Sequence, residues 1–517
     1  MLWSIIRNLT RKPAEKPAGP SRGGGIEAGI ACFNAGDFAG ACRHLDTALA
    51  AEPDNHAAAY YLALAEARSG NHERAQGLLE AVCARRDDAA AHNALGNVYR
   101  LRGRAADAAQ SYRRALEVDG AHLAALANLG LSLRDQGDPQ QALTVLDRAL
   151  ALKPDHAESM FNKALALTDI GDSAPAGELI EQVLKLDPDF AEAHLQRGFS
   201  LLRKGEFAAG WREYAWRTRI PDLDHWQEYA YPLWQGEALA GKRLLVQAEQ
   251  GLGDQIMFAS CLPDVLARAR HAVVECDPRL ARLFARSFPA ATIYRHRVRG
   301  KPDWSSEPAP DYRARLGDLP RMLRNADAEF PVHSGYLVPD AVQVAAWRAR
   351  LAALGPGLKV GLSWRGGTPG TGQTMRSLTL DALLQLLNLP RAHFISLQYG
   401  DVGAEIAEMQ TRHGVVLHDW VRLNADMDGV AALTASLDLV ITVCTTAAHL
   451  SGALGKPAWV MVPTVAEWRY LEAGAHIRWY PALRLFRQQR QNEWDDVIST
   501  LRTALLGRTG IAGGEAR

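Results

Sequence analysis

From residue 26 onwards, apolar stretches built largely from alanine and leucine alternate with polar positions as in packed helices, and the pattern breaks at a fixed beat. Gly36, Gly70, Gly103, Gly137, Gly171 and Gly205 recur at intervals of 34, 33, 34, 34 and 34 residues. Periods of this size mark stacked helix pairs, each of which buries its apolar face only against its neighbours. The glycine ends the first helix of a pair. Five residues after each of the first five glycines stands an alanine (Ala41, Ala75, Ala108, Ala142, Ala176), small enough for the second helix to approach closely. Pro53-Asp54, Pro154-Asp155 and Pro188-Asp189 close their repeats, because proline suits a turn or the first position of the next helix. Arg86-Asp87 and Asp119-Gly120 replace that proline elsewhere, and Gly210 stands where a sixth alanine would. The period predicts an α-solenoid of five to six repeats over residues 26–218, after a flexible leader at 1–25 rich in Pro, Gly and basic residues.

The pattern changes after residue 218. A connector is expected over 219–241, and beyond Gly241 short apolar runs alternate with helical stretches, as in doubly wound parallel sheets. Strands are predicted at Arg243–Ala248, Ala272–Cys276 and Thr292–Tyr294 in a first lobe at 242–340, with helices around Gln255–Arg270 and Pro278–Phe288. A second lobe at 341–506 opens with a helix at Ala341–Leu354. It carries strands at Lys359–Trp364, His393–Gln398, Val415–His418, Leu437–Val443 and Ala458–Val462, then a closing helix at Asn492–Leu506 and a flexible tail at 507–517. Two such Rossmann-like lobes in series place a ligand cleft at the carboxyl ends of their strands.

Composition sharpens the boundary: of thirteen tryptophans, only Trp3 precedes Trp211. Trp211, Tyr214 and Trp216 are read as the rings that cement the last repeat onto the following domain. Lys plus Arg and Asp plus Glu both total 58, which gives no reason to expect nucleic acid or an anionic membrane as partner. The six cysteines are scattered without metal-ligand spacing and read as reduced thiols, and basic residues interrupt the N-terminal apolar run before it reaches the length of a signal or membrane span. These features predict a cytoplasmic protein with no integral membrane segment.

The repeat pattern resembles the tetratricopeptide (TPR) family over about residues 26–218, which implies a groove that takes a protein or peptide partner. In the first lobe a strand runs into Gly251-Leu252-Gly253-Asp254 and a helix, where glycines permit close backbone approach to a ligand and the helix N-terminus attracts anions. A dinucleotide-dependent oxidoreductase is disfavoured because the third glycine of G-x-G-x-x-G is missing. Gly253-Asp254 followed by Pro263 resembles the opening motif of heptosyltransferases and their TPR-linked relatives, which implies Asp254 as general base; capping of the helix is the plain alternative. In the second lobe, a Gly-rich loop bounded by Arg365 and Arg376 suits a diphosphate, with Arg376 assigned to the leaving group or, alternatively, to solvent.

The stretch Cys444-Thr445-Thr446-Ala447-Ala448-His449 joins a buried strand to a helix, so that the free N–H groups of Thr445, Thr446 and Ala447 and the two threonine hydroxyls are expected to form an anion site. It resembles the donor-binding motif of the same glycosyltransferases, ending in their His-x-x-x-Ala-Leu-Gly-x-Pro pattern, with Cys444 where an aspartate is usual. His449 either contacts phosphate or packs beneath it. The resemblance implies two Rossmann-like lobes of GT-B type and an inverting, metal-independent glycosyltransferase. Its co-substrate would be a nucleotide-diphosphate sugar, with no other cofactor and no metal, and its acceptor a protein or glycan presented by the TPR arm; a homo-oligomer is compatible with it. Cys444 favours one rival, a TPR adaptor whose transferase lobes have lost activity.

Overall fold

The structure, a computed structural model, describes residues 24–220, 223, 226, 228–296, 304, 307–367, 374–420 and 426–509. The expected leader up to residue 23 and the tail beyond 509 lie outside them. The chain divides into two compact units, one reaching Ala193 and one from His194 onwards, with Ile220 grouped with the first.

The first unit is a run of helices: α1 (Gly24–Asn34), α2 (Phe38–Ala51), α3 (His56–Arg68), α4 (His72–Arg85), α5 (Ala89–Leu101), α6 (Ala105–Val118), α7 (Leu123–Asp135), α8 (Pro139–Leu152), α9 (Ala157–Asp169) and α10 (Ser173–Leu186). The first described helix starts two residues before Ile26. The periodic glycines all sit in the left-handed region, with φ between 73° and 86°. A Cβ on Gly36, Gly70 or Gly103 would touch nothing within 4 Å, so backbone handedness and not crowding requires glycine there. Each turn is sealed alike: Asp37 N–H donates to Cys32, Asn71 to Glu66, Arg104 to Tyr99, Asp138 to Leu133 and Asp172 to Leu167, the Schellman pattern of helix ends. The alanines five residues on are buried. A second period escaped the sequence reading. Gly29, Gly96 and Gly130 face Leu45, Tyr112 and Leu146, and a Cβ at Gly96 would stand 2.5 Å from the Tyr112 ring; Ala63 and Ala164 fill the same role in their repeats. The core is segmented along the chain, with one cluster between Ile26 and Val98, one between Ala108 and Ala166 and one between Met160 and Ala193.

The second unit opens with the last helix pair, α11 (Ala191–Lys204) and α12 (Phe207–Tyr214), then a 3-10 turn at Ala215–Arg219. Trp211 donates Nε1–H to the Arg324 carbonyl at 2.8 Å and meets Phe258, Trp468 and Trp479 edge-on at 5.6–6.4 Å between centroids. Trp216 instead stacks on His194 at 3.7 Å. The sixth pair is therefore built into the α/β unit by its aromatic face. Gly210 stands in place of alanine because α11 and α12 approach each other closely there: a Cβ would lie 2.6 Å from Leu202 Cγ and 3.0 Å from its backbone nitrogen.

The first sheet has strands β1 (Arg243–Gln247), β2 (His271–Cys276), β3 (Ala291–Arg295) and β4 (Tyr312–Arg315), all parallel in the order β3-β2-β1-β4. One helix expected over Gln255–Arg270 is two, α13 (Leu252–Phe258) and α14 (Leu262–Arg268), separated by a 3-10 turn, because Pro263 lacks the N–H a continuous helix needs. Helices α15 (Ala281–Ser287) and α16 (Leu319–Leu323) complete this half, and α17 (Ala341–Ala352) opens the second. The second sheet has β5 (Leu358–Ser363), β6 (Ala392–Ser396), β7 (Leu417–His418), β8 (Leu439–Val443), β9 (Ala458–Val462) and β10 (Leu483–Arg487), parallel in the order β10-β9-β8-β5-β6-β7. It is covered by α18 (Leu384–Leu387), α19 (Gly403–His413), α20 (Met427–Ser436), α21 (Thr446–Ala453) and α22 (Asp495–Thr509). The last helix runs to Thr509, three residues past its expected end. In each sheet the strand order reverses once, between β1 and β4 and between β5 and β8, and such switch points open the crevices where α/β folds take ligands.

Candidate functional site

A cleft of about 420 Å³ lies at these switch points and is lined from both lobes. Leu252, Gly253 and Asp254 enter it from the first turn of α13. Arg376 and Gly367 come from the loop after β5, Cys444 to Ala447 and His449 from the β8–α21 turn, and Glu467 and Arg469 from the loop after β9. Gly366 explains how the two second-lobe loops lie so close, since a Cβ there would meet the Cys444 carbonyl and the Thr445 methyl at 2.9 Å. Gln398, buried at the end of β6, fixes the start of the β5 loop by accepting from the N–H groups of Trp364 and Arg365 at 2.8 Å each.

Four charged side chains form one string across the cleft. Arg469 donates Nε–H to Asp254 Oδ1 at 3.0 Å and places Nη2 on the same oxygen; its Nη1 reaches Glu467 at 3.2 Å, and the other oxygen of Glu467 pairs with Arg376. Two cations and two anions leave it formally neutral. Burial opposes the charge of Arg469, but Asp254 and the neighbouring tyrosines outweigh it and raise its pKa, whereas burial lowers that of Arg376. Both guanidiniums stay charged at neutral pH. The aim of Arg469 is set by its 3-10 turn, Trp468–Tyr470, whose two rings are buried while the guanidinium lies over Trp468 at 4.5 Å. Leu471 then takes φ 59°, and Arg487 secures the turn by donating to the Tyr470 and Leu471 carbonyls.

The β8–α21 turn is a capped helix start. Thr445 accepts from the Ala447 N–H at 3.2 Å and bonds Thr442 through its hydroxyl at 3.1 Å. Cys444 Sγ lies 3.7 Å from the Met461 carbonyl, and burial pushes its thiol up to about 12, so it is not a thiolate nucleophile at neutral pH. His449 is buried with Nδ1 3.1 Å from the Tyr480 hydroxyl. Burial, and then the Arg469 charge, bring its pKa down to about 3, so it is a neutral imidazole and not a cationic phosphate ligand. The sign for stability follows. The unfolded histidine takes a proton below its ordinary value near 6.5 and the folded one does not, so stability present above that value is lost as pH falls towards 3. Relative to His449→Gln, the wild-type chain is expected to lose about 1.4 kcal/mol more per pH unit across that window, read from urea unfolding at stepped pH. Parallel slopes for the two chains would refute this.

Of the residues singled out from sequence, Asp254, Gly253, Arg376, Cys444, Thr445, Thr446, Ala447 and His449 line the cleft together. Two do not. Gly251 is the N-cap position of α13, outside the lining, and Arg365 turns back to Glu405 on α19, at 2.8 Å, where Trp364 also bonds Glu405. The expected pair of arginines bounding the diphosphate loop is thus reduced to Arg376. The sequence marks the stretch Glu467-Trp468-Arg469-Tyr470 as one that either frames an acceptor or base or packs the lobes, without assigning Arg469 or Glu467 a role, because nothing local in a loop shows which way a guanidinium points. The Asp-x-Asp segment Asp426-Met427-Asp428 is taken up by the fold: Asp426 caps α20 and Asp428 pairs with Arg286 at 2.7 and 2.8 Å. Among the described residues no cluster of three or more His, Cys, Asp or Glu is arranged for a metal, and no helix is long and apolar enough to cross a membrane.

Tetratricopeptide-repeat families match residues 38–118 and 133–198, which fall within the periodic helices. Protein FlbA of Caulobacter vibrioides is 35% identical over 320 residues, covering 59% of this chain and 53% of that protein; the chain therefore spans about half the length of this relative. A match of 320 residues is too long to be confined to the repeats and extends into the α/β unit. Among solved structures, the MamA protein is similar at 21% identity over 32% of this chain and 92% of its own, with a TM-score of 0.29. TTC0263, a TPR protein of Thermus thermophilus, is similar at 20% identity over 34% of this chain and 97% of its own, with a TM-score of 0.31.

Proposed function

We propose that the α/β unit is a GT-B-type, inverting and metal-independent glycosyltransferase that takes a nucleotide-diphosphate sugar in the cleft and passes the sugar to a protein or glycan presented by the TPR arm. The observation that carries this reading is the meeting in one cleft of an Asp254 carboxylate from one lobe with Arg376, Arg469 and the capped start of α21 from the other. The α21 N–H groups and Arg376 suit a diphosphate. Arg469 holds Asp254 by Oδ1, leaving Oδ2 for an acceptor hydroxyl. In the transfer, the acceptor oxygen attacks the anomeric carbon, its proton passes to Asp254, the bond from that carbon to the diphosphate oxygen breaks, and the released charge is met by Arg376. Two features favour the rival reading, a ligand-sensing or purely structural adaptor: Glu467 already occupies Arg376, and Cys444 offers no carboxylate.

Calorimetric titration with UDP, GDP, ADP, CMP and their sugar conjugates separates the two. Saturable binding of one nucleotide is expected, weakened about tenfold or more in Thr445→Ala, Thr446→Ala, since each lost hydrogen bond to a charged group is worth about 1.5–3 kcal/mol. Failure of all of them to bind wild-type protein would leave the repeats, whose fold suits peptide or protein partners, as the functional part.

A further inference from the structure

The 3-10 turn that aims Arg469 is held from outside the two lobes. Trp468, over whose ring the Arg469 guanidinium lies, stacks on Phe199 of α11 with the rings 7° from parallel and 6.4 Å between centroids, and on Phe258 of α13 at 6.3 Å. Trp211 of α12 meets the same ring edge-on at 5.6 Å, and Tyr214 lies tilted to it at 5.8 Å. The backbone is tied to the same helix pair. Just past Leu471, the Glu472 N–H donates at 3.0 Å to the carbonyl of Arg203, which stands in the last turn of α11 where carbonyls have no partner within their own helix. Arg487 thus holds the turn from β10, and the final helices of the repeat array hold it from the other chain direction. A guanidinium sits on a long, rotamer-rich stem, and it presents a fixed fork only when that stem and its platform are packed.

We infer that α11 and α12 position the cleft: by holding Trp468 and Glu472 they fix Arg469 against Asp254, so whatever shifts the last helix pair of the repeats shifts the charged string of the cleft with it. The end of the repeat array is then a regulatory element of the cleft, and the coupling is reciprocal, since a ligand that draws on Arg469 or Asp254 is felt at α11. Phe199 is the positioning residue that isolates the effect, because it touches Trp468 and lies outside the cleft lining. The consequence for turnover rests on the glycosyl-transfer reading; the coupling of α11 to Arg469 does not. In that reading Asp254 offers Oδ2 to the acceptor only while Arg469 holds Oδ1, so a loosened Trp468 slows the chemical step and leaves the diphosphate contacts of Arg376 and α21 in place.

The coupling is read without ligand, by NMR of the Nε–H groups in the full chain with isotope-labelled arginine, the Arg469 signal being the one lost in Arg469→Lys. Exchange of that proton with water is expected to be faster by about fivefold or more in Phe199→Ala, and by less in Phe199→Leu, which keeps the apolar bulk. Arg313, whose Nε–H donates to the Tyr231 carbonyl at 3.1 Å in the first lobe, is the control and is expected not to change. An unchanged Arg469 rate, or equal acceleration of Arg469 and Arg313, would overturn the coupling; should the alanine variant fail to fold, the leucine variant carries the same comparison. For turnover, the hexose conjugates of UDP, GDP and ADP are assayed for release of the nucleoside diphosphate. Phe199→Leu is expected to lower kcat about tenfold with KM for the conjugate unchanged. An unchanged kcat, or a loss confined to KM, would refute the positioning role. If the wild type turns over none of them, the transferase reading falls, and the exchange rates still decide the coupling.

Discussion

Gly455→Ala is expected to destabilise the α/β unit by about 3 kcal/mol or more, the range of a strained backbone combined with a core clash. Gly455 ends α21 at φ 68°, and a Cβ there would fall 1.7 Å from the Ser334 carbonyl oxygen. That contact cannot relax cheaply, because the crossing segment is itself pinned: Tyr336 and Leu337 N–H both donate to the Ala453 carbonyl, at 2.7 and 2.9 Å, and Gly335 is at φ 115°. Gly414 is a matched control, with φ 67° but open space where its Cβ would be; Gly414→Ala is expected to cost only about 1 kcal/mol. Thermal unfolding followed by near-UV circular dichroism measures both. Equal losses would mean that backbone handedness alone decides and that the Ser334 crossing gives way.

Arg217→Met is expected to cost about 3–5 kcal/mol, the usual result of stranding buried charge. Arg217 follows α12 and reaches Glu249, just past β1, and Asp318, just past β4, at 2.8 Å each, with only 4% of its side chain exposed. Burial opposes its charge and the two carboxylates outweigh it, so it remains a guanidinium. Glu249, which burial pushes up, also accepts from the Gly317 N–H at 2.9 Å and so ties the ends of β1 and β4 together. Urea unfolding of Arg217→Met and of Arg217→Met with Glu249→Gln tests this. The double variant should recover part of the loss; the same midpoint for wild type and Arg217→Met would contradict the buried-triad account.

What the sequence revealed, and what it hid, follows from how local each signal is. The turn glycines were legible because a left-handed φ is a demand on one residue. The second small-residue row at Gly29, Gly96 and Gly130 was not, since alanine satisfies the same close approach at Ala63 and Ala164 and blurs the period. Apolar strands such as β9 were found to the residue. Two were missed: β4, Tyr-Arg-Ala-Arg, buries Arg313 and Arg315, and β10, Leu-Arg-Leu-Phe-Arg, keeps Arg484 exposed. Arg313 is stabilised there by Glu228 and the Tyr231 carbonyl, partners 85 and 82 residues away that no local pattern displays. The cleft was read the same way. The helix-start residues Thr445 to His449 announced themselves, while the role of Arg469, set by its bond to Asp254 across 215 residues, did not.

The segmented core of the first unit bears on its mechanics. Because its apolar clusters follow one another along the chain, tension applied at the first helix meets only the nearest cluster, and the load need not break the whole array at once. Such a stack lengthens in instalments, each repeat of 34 residues releasing on the order of 110 Å of extended chain.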